Sequence, residues 1–307
     1  MAFANRNGNK HFTASTIRTS SSGLIRFKNG IFRSGEIRMR PTAIAILLAC
    51  FSLIFANRNS LVASEPSLQI DLGDGQVVEL ILVKPASFMQ GSSTDEAGRE
   101  EDELQHKVTL TKEFFISKYP ITVVQFRRFV EETGYKTEAE SGPSGGFGLV
   151  GDKLEQRPEF NWKNPGYPVT DQHPVTIVTV ADTIAFNEWL SKKAGRTIQL
   201  PSESQWEFAC RAGTGSRFYS GNDDSNLDAI GWSKQNATSP MPVGQKQPNA
   251  FGLYDMSGNV WQFINDWYGR DYYGYSPTNN PPGPASGSLV QDGKPYRGMR
   301  GGNWYNG

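Results

Sequence analysis

The sequence predicts an α+β domain in which three short helices wrap around small antiparallel sheets, with sparse regular secondary structure between them. Two observations predict this. Three capping-box pairs, Thr122 with Gln125, Thr179 with Asp182 and Ser202 with Gln205, each open an apolar stripe at helical spacing. Short β-rich runs precede them, and from residue 213 onward turns rich in Gly, Pro and Asn dominate, with Tyr and Trp interspersed. At 307 residues, 37% hydrophobic and 12% aromatic, the chain can fill one large core and reads as globular.

The N-terminal part carries a different signature. Residues 1–63 hold nine Lys or Arg and one Glu, which leaves 22 basic against 30 acidic residues from Ser64 onward, a net charge of −8. A folded part of that sign offers no basic surface for nucleic acid. Thr42 to Ala56 is an uncharged apolar run behind Arg38 and Arg40, too short to span a bilayer comfortably and matched to the core of an export signal. Residues 39–63 therefore read as a signal peptide starting at Met39 with cleavage near Ala56 or Ala63, and residues 1–38 as a disordered upstream extension. An uncleaved membrane anchor is the alternative, and Leu47-Leu48-Ala49-Cys50 also resembles a lipobox, although the residues after Cys50 stay apolar. The product is expected to be exported, as a periplasmic, extracellular or envelope-anchored protein that meets membrane only through this segment. Cys50 and Cys210 are the two cysteines, so a processed chain keeps one thiol and forms no internal disulfide.

Residues 64–76 read as a polar linker. Val77 to Val83 is β-rich and Phe88-Met89-Gln90-Gly91 ends in a turn, which predicts an opening hairpin between the two. Asp95 to Glu103, with six acids and one Arg, reads as a solvated loop before the strand Lys107 to Leu110 and a further run, Phe114 to Ser117. The helical stripes are Phe126, Phe129 and Val130; then Phe186, Trp189 and Leu190; then Trp206, Ala209 and Cys210, with glycines at 134, 195 and 213 as stops. Ser141 to Gly148 reads as a flexible insertion, since no Gly-Lys-Ser/Thr pattern accompanies it to make a phosphate loop.

Gly252 to Gln262 is the most informative run. It holds too many glycines and polar residues for a helix or plain strand, yet its large aromatics must be buried, so it predicts irregular backbone packed into a core. Asp255, the carbonyls around Gly258 and the Gln262 side chain are the candidates for holding a hard cation such as Ca²⁺. A turn cluster without an ion is the other reading of the same residues.

The run Gly-Leu-Tyr-Asp-Met-Ser-Gly-Asn-Val-Trp at 252–261 resembles the signature of the formylglycine-generating enzyme, or sulfatase-modifying factor, family, whose fold is related to C-type lectins. Pro85 to Ser92, Tyr119-Pro120-Ile121-Thr122, His173-Pro174-Val175, Leu200 to Ala209 and Arg300-Gly301-Gly302-Asn303-Trp304 resemble further family segments in the same order, so the resemblance spans residues 77–307. It implies a structural Ca²⁺ held by the side chain of Asp255, backbone oxygens of Gly258 and Val260, and Gln262 where the family has Glu; an amide there coordinates with less attraction. A first Ca²⁺ would fall near Asp228 and Asn236. The family also continues through an arginine-rich stretch to a Gly-Phe-Arg motif, and this chain stops short of both, which predicts an unpaired sheet edge.

The same resemblance tests the activity. Family oxidases convert a substrate cysteine to formylglycine with Cu(I) held by two cysteines, the first matching Asn306 and the second lying beyond Gly307. Soft Cu(I) requires thiolates, so copper is not expected. Cys210 lies on the apolar face of its helix and reads as a packed thiol. An iron branch would need three histidines, and His106 and His173 are the two in the domain. No Ser-His-Asp order or His-Glu-x-x-His helix is present, and Asp223 with Asp224 reads as a solvated turn. Trp232, Trp261, Trp267, Tyr268, Tyr272, Tyr273, Tyr275, Trp304 and Tyr305 are candidates for a peptide or sugar groove, with about half of them expected in the core.

The expectation is an exported sulfatase-modifying-factor domain that binds peptide, glycan or protein. The alternatives are a formylglycine-generating oxidase whose catalytic end lies outside this sequence, and a subunit of an envelope or secretion assembly.

Overall fold

The structure is a computed structural model and describes residues 67–288 and 293–306. The upstream extension, the export segment and Gly307 lie outside the described residues.

The first sheet has the order β1 (Ser67–Gly73), β2 (Gln76–Val83), β5 (Phe114–Ser117), all antiparallel. β1 occupies most of the expected linker. Its alternating Leu68, Ile70 and Leu72 face the core, and Asp74-Gly75 turns the chain into β2 with positive φ at both residues, the Asp-Gly hairpin geometry. The opening hairpin is therefore β1–β2. β3 (Ala86–Gln90) pairs instead with β4 (His106–Leu110), the acidic loop connecting them.

Helices α1 (Val123–Thr133), α3 (Val180–Ala194) and α4 (Glu203–Arg211) begin where the capping boxes place them. Ser202 N–H donates to Gln205 Oε1 at 2.9 Å and Gln205 N–H to Ser202 Oγ at 3.2 Å; Thr179 and Asp182 do the same. At α1 the Thr122 N–H reaches Gln125 Oε1, while the Thr122 hydroxyl is buried without a partner among the described residues. Gly134 and Gly195 close α1 and α3 in the left-handed conformation, whereas α4 is closed by Ala212 (φ 46°) one residue before the expected Gly213.

Phe126, Phe129, Phe186 and Trp189 stack against one another with ring centroids 5.4–5.8 Å apart, beneath Ile70, Leu72, Val78 and Leu80 of β1 and β2. A second cluster joins Ile81 of β2 to Trp206 and Ala209 of α4 and to Leu253, Met256 and Ile264.

Gly146–Val150 is strand β6, paired with β7 (Lys153–Arg157) after a four-residue helix, α2 (Glu138–Ser141). The expected flexible insertion is thus mostly ordered structure. Its glycines serve close packing: a Cβ on Gly146 would lie 2.0 Å from Ile177 Cγ2, and one on Gly148 would lie 2.4 Å from the Phe160 ring. A further short helix, α5 (Leu227–Ile230), precedes the final pair β8 (Gln262–Trp267) and β9 (Arg297–Arg300).

Candidate functional site

The segment from Gly252 to Gln262 is irregular backbone in a core, as its composition demands. Asp255 and Asn259 both adopt left-handed φ, 55° and 63°, and are 1% and 0% exposed. Asn259 clamps the Met241 peptide from both sides, accepting from its N–H and donating to its carbonyl, each at 3.0 Å. The Asp255 carboxylate accepts from Gly244 N–H at 2.8 Å and from the Asn259 amide at 3.2 Å. Burial raises its pKa, and those two hydrogen bonds oppose the rise.

The four expected metal positions, Asp255, Gly258, Val260 and Gln262, are neighbours on this turn, but the polar side-chain atoms of Asp255 and Gln262 face protein partners. Gln262 accepts from the Trp206 indole N–H at 2.9 Å and donates its amide to the Asp255 carbonyl at 2.8 Å. A hard cation takes six to eight oxygens with several carboxylates among them. Here one carboxylate is already engaged by two donors, and an amide N–H points at the nearest carbonyl. As arranged, the donor set does not fit Ca²⁺. Asp228 and Asn236 also meet, with the Asn236 amide donating to Asp228 Oδ1 at 3.0 Å, and its oxygen accepts from Ser233 N–H. Among the described residues no group of three or more His, Cys, Asp and Glu is placed to hold a metal.

Asn306 lies at the exposed end of the described chain, its N–H bonded to Asn303 Oδ1 at 2.8 Å. Cys210 donates to the Met256 carbonyl at 3.6 Å, and burial pushes its thiol up to about 12, which suits a packed side chain and not a nucleophile. His106 packs on Tyr273 with ring centroids 4.7 Å apart, while His173 accepts from Thr170 N–H and burial lowers its pKa. Asp224 pairs with Arg217 at 2.6 Å on the surface.

A buried ion cluster, not foreseen from the sequence, ties α4 to the rest. Glu207, 2% exposed, accepts from Arg211 Nε and Gly91 N–H through one oxygen and from Arg300 Nη2 through the other, at 2.8, 2.9 and 2.6 Å. Arg300 opens the Arg-Gly-Gly segment, so that motif is positioned by charge as well as by its glycines.

An apolar groove of about 450 Å³ opens beside β5. It is bounded by β5, by α3, by the segment from Arg196 to Trp206, and by Tyr254 to Phe263. Tyr119, Trp206, Tyr254 and Trp261 line it together with phenylalanines that include Phe115 and Phe263. Of the aromatic set expected to line a groove, Trp261 alone does so; Tyr272 and Trp304 are core, and Tyr275 stands 69% exposed. No His, Cys, Asp, Glu or Lys lines it, and Arg196 is its one formally charged side chain among the described residues.

Residues 71–307 match the family model described as the sulfatase-modifying factor enzyme 1-like domain. Over 230 residues the chain is 31% identical to the serine/threonine-protein kinase pkn1 of Chlamydia pneumoniae, covering 74% of this chain and about a third (33%) of that protein. It is 28% identical over 250 residues to the formylglycine-generating enzyme of Streptomyces coelicolor, covering 71% of this chain and 76% of the enzyme. The structure of PvdO from Pseudomonas aeruginosa superposes with a TM-score of 0.64 at 26% identity, covering 79% of this chain and 88% of that one. With the match running through both cores and the Gly252–Gln262 turn, the chain belongs to the sulfatase-modifying factor, or formylglycine-generating-enzyme-like, family.

Proposed function

We propose that this chain is an exported, non-oxidising member of its family that works by binding a polypeptide. The observation that carries the reading is the groove: about 450 Å³ lined mainly by apolar and aromatic side chains, with no acid, thiol, lysine or histidine among them. Such a surface can desolvate and hold a ligand, and its hydroxyls, among them Ser117, Tyr119, Thr183 and Tyr254, have no lysine, histidine or carboxylate in the lining to activate them. Two further features support it. Asn306 stands where the resemblance puts a copper-ligating cysteine, and the Cys210 thiol is held protonated by burial. Export rests on the apolar run from Thr42 to Ala56.

The test is an anaerobic cuprous titration of the full chain, followed by aerobic incubation with a Cys-Thr-Pro-Ser-Arg peptide. The expected result is no stoichiometric Cu(I) complex and no aldehyde. Copper binding at one equivalent with turnover of the peptide would establish the oxidase and end this reading.

A further inference from the structure

Asp266, near the end of β8, is 3% exposed, and its Oδ1 has no hydrogen-bond partner among the described residues. A buried carboxylate oxygen without a donor costs far more when charged than when protonated. The groups around it leave that charge unanswered. From α4 come the N–H and the carboxylate of Glu203, from β9 the guanidinium of Arg297, and from the 3₁₀ turn Tyr272–Gly274 the phenol of Tyr272. Arg297 is committed elsewhere, lying 4.0 Å over the Trp267 ring and donating to the Asn265 carbonyl. Glu203 brings a second acid, which in turn faces Arg300, Glu207, Tyr273 and Asp102. Burial raises the Asp266 pKa to about 6, and the Glu203 charge adds to the rise.

The same carboxyl is the footing of a surface loop. Between Tyr268 and Ser288 the buried residues are Tyr272, Pro281 and Gly283, and the others are exposed or half-buried. Gly283 packs so closely on Asp266 that a Cβ there would lie 2.6 Å from Oδ2, and its N–H donates to Tyr272 Oη at 3.1 Å. Two of the three buried points therefore close over the acid. Farther along, the loop is tied to β4, where Thr109 N–H donates to the Thr278 carbonyl at 2.7 Å and Asn280 N–H to the Thr109 carbonyl at 2.9 Å. We infer that Asp266 is a pH-operated latch: protonated, it lets Gly283 and Tyr272 seal over it; ionised, it draws in water, and residues 281–288 lift from β8 while the tie to β4 holds. A chain packed outside these elements leaves the latch unchanged, because Asp266 is already closed off from solvent by them. The latch also stands apart from the binding function proposed above, and either can fail without the other.

Hydrogen exchange of the full chain, followed by mass spectrometry between about pH 5 and about pH 7.5 and corrected for the intrinsic rate at each pH, reads the latch. Residues 281–288 are expected to lose about tenfold in protection across that range, with a midpoint near the Asp266 pKa. They are also expected to be less protected than β2 throughout and to exchange at a rate that low urea leaves unchanged, as local opening requires. D266N has the shape of the neutral acid and is expected to keep the acid-side protection at both ends of the range. E203Q removes the charge beside Asp266 and is expected to move the midpoint to lower pH. Flat protection in the native protein overturns the latch, as does a pH response that D266N retains. Protection of residues 281–288 equal to that of β2 overturns it too, because the loop then opens only with the whole fold. If D266N does not fold, the E203Q midpoint decides alone, and a midpoint that stays or rises overturns the assignment to Asp266.

Discussion

The Trp206 indole donates to Gln262 Oε1 at 2.9 Å, and through that side chain the third capped helix is tied to the Asp255 turn, whose carbonyl takes the Gln262 amide at 2.8 Å. A glutamine satisfies both partners because it carries an acceptor and a donor; a glutamate could accept from the indole but would set a charge against the Asp255 carbonyl. The family substitution of Gln for Glu at this position therefore coincides with a turn whose polar groups are satisfied by protein alone.

The native chain is accordingly expected to show the same melting temperature in millimolar Ca²⁺ and in excess chelator. Gln262→Glu is expected to cost about 1–3 kcal/mol in chelator, the cost of a buried group left without its partner, and to recover part of that in Ca²⁺. Differential scanning fluorimetry of both proteins decides it. A native protein that loses several degrees on chelation would show that a cation holds the turn.

Glu207 faces Arg211, Arg300 and the Gly91 N–H with 2% of its surface exposed. Removing one partner of a buried ion cluster leaves the others desolvated and unpaired, so Glu207→Gln is expected to lower unfolding stability by about 3 kcal/mol in urea titrations. Glu155 also pairs with an arginine, Arg157, at 2.8 Å, but both are more than 40% exposed. Glu155→Gln is expected to change stability by less than about 0.5 kcal/mol. Equal effects would mean that Glu207 is only a surface ion pair.

How much of this was legible in the sequence follows from how local each signal is. The capping boxes at Thr179 and Ser202 lie within four residues, and the structure begins α3 and α4 where they indicate. β1 was missed, because the polar residues between Leu68, Ile70 and Leu72 made their alternation before Asp74-Gly75 read as a linker. The Gly146 and Gly148 positions were not legible: a glycine run has the same sequence whether it provides freedom or close approach, and only Phe160 and Ile177, brought in from elsewhere in the chain, distinguish the two. The groove depends on three distant segments meeting, and Tyr119, Arg196 and Tyr254 gave no local cue to it.

Asp266 links β8 to the start of α4 and sets a pH dependence. Burial raises its pKa to about 6, the Glu203 N–H that it accepts opposes this, and the Glu203 carboxylate adds to it. A carboxyl whose folded pKa exceeds its unfolded value of 3.8 binds its proton more tightly when folded. Its contribution is thus fully present below about pH 4 and is lost as pH rises through 6. The native protein is expected to lose on the order of 2 kcal/mol between pH 4.5 and 7 from this group, and Asp266→Asn is expected to flatten that slope whatever its offset at one pH. Urea midpoints across the range measure it. An unchanged slope in the variant would assign the dependence to another buried acid such as Glu203.

Gly148 separates packing from flexibility. It sits in β6 with an ordinary φ, so alanine there meets no backbone strain, yet its Cβ would lie 2.4 Å from the Phe160 ring, itself 6% exposed and fixed in the core. Gly215 also has an ordinary φ, and nothing lies within 4 Å of where its Cβ would be. Gly148→Ala is therefore expected to cost about 1–3 kcal/mol by overpacking, whereas Gly215→Ala is expected to be neutral or to stabilise by a few tenths through a stiffer unfolded chain. If Gly148→Ala were the neutral one, β6 would have room to move from Phe160, and the segment would behave as the flexible insertion its composition suggests.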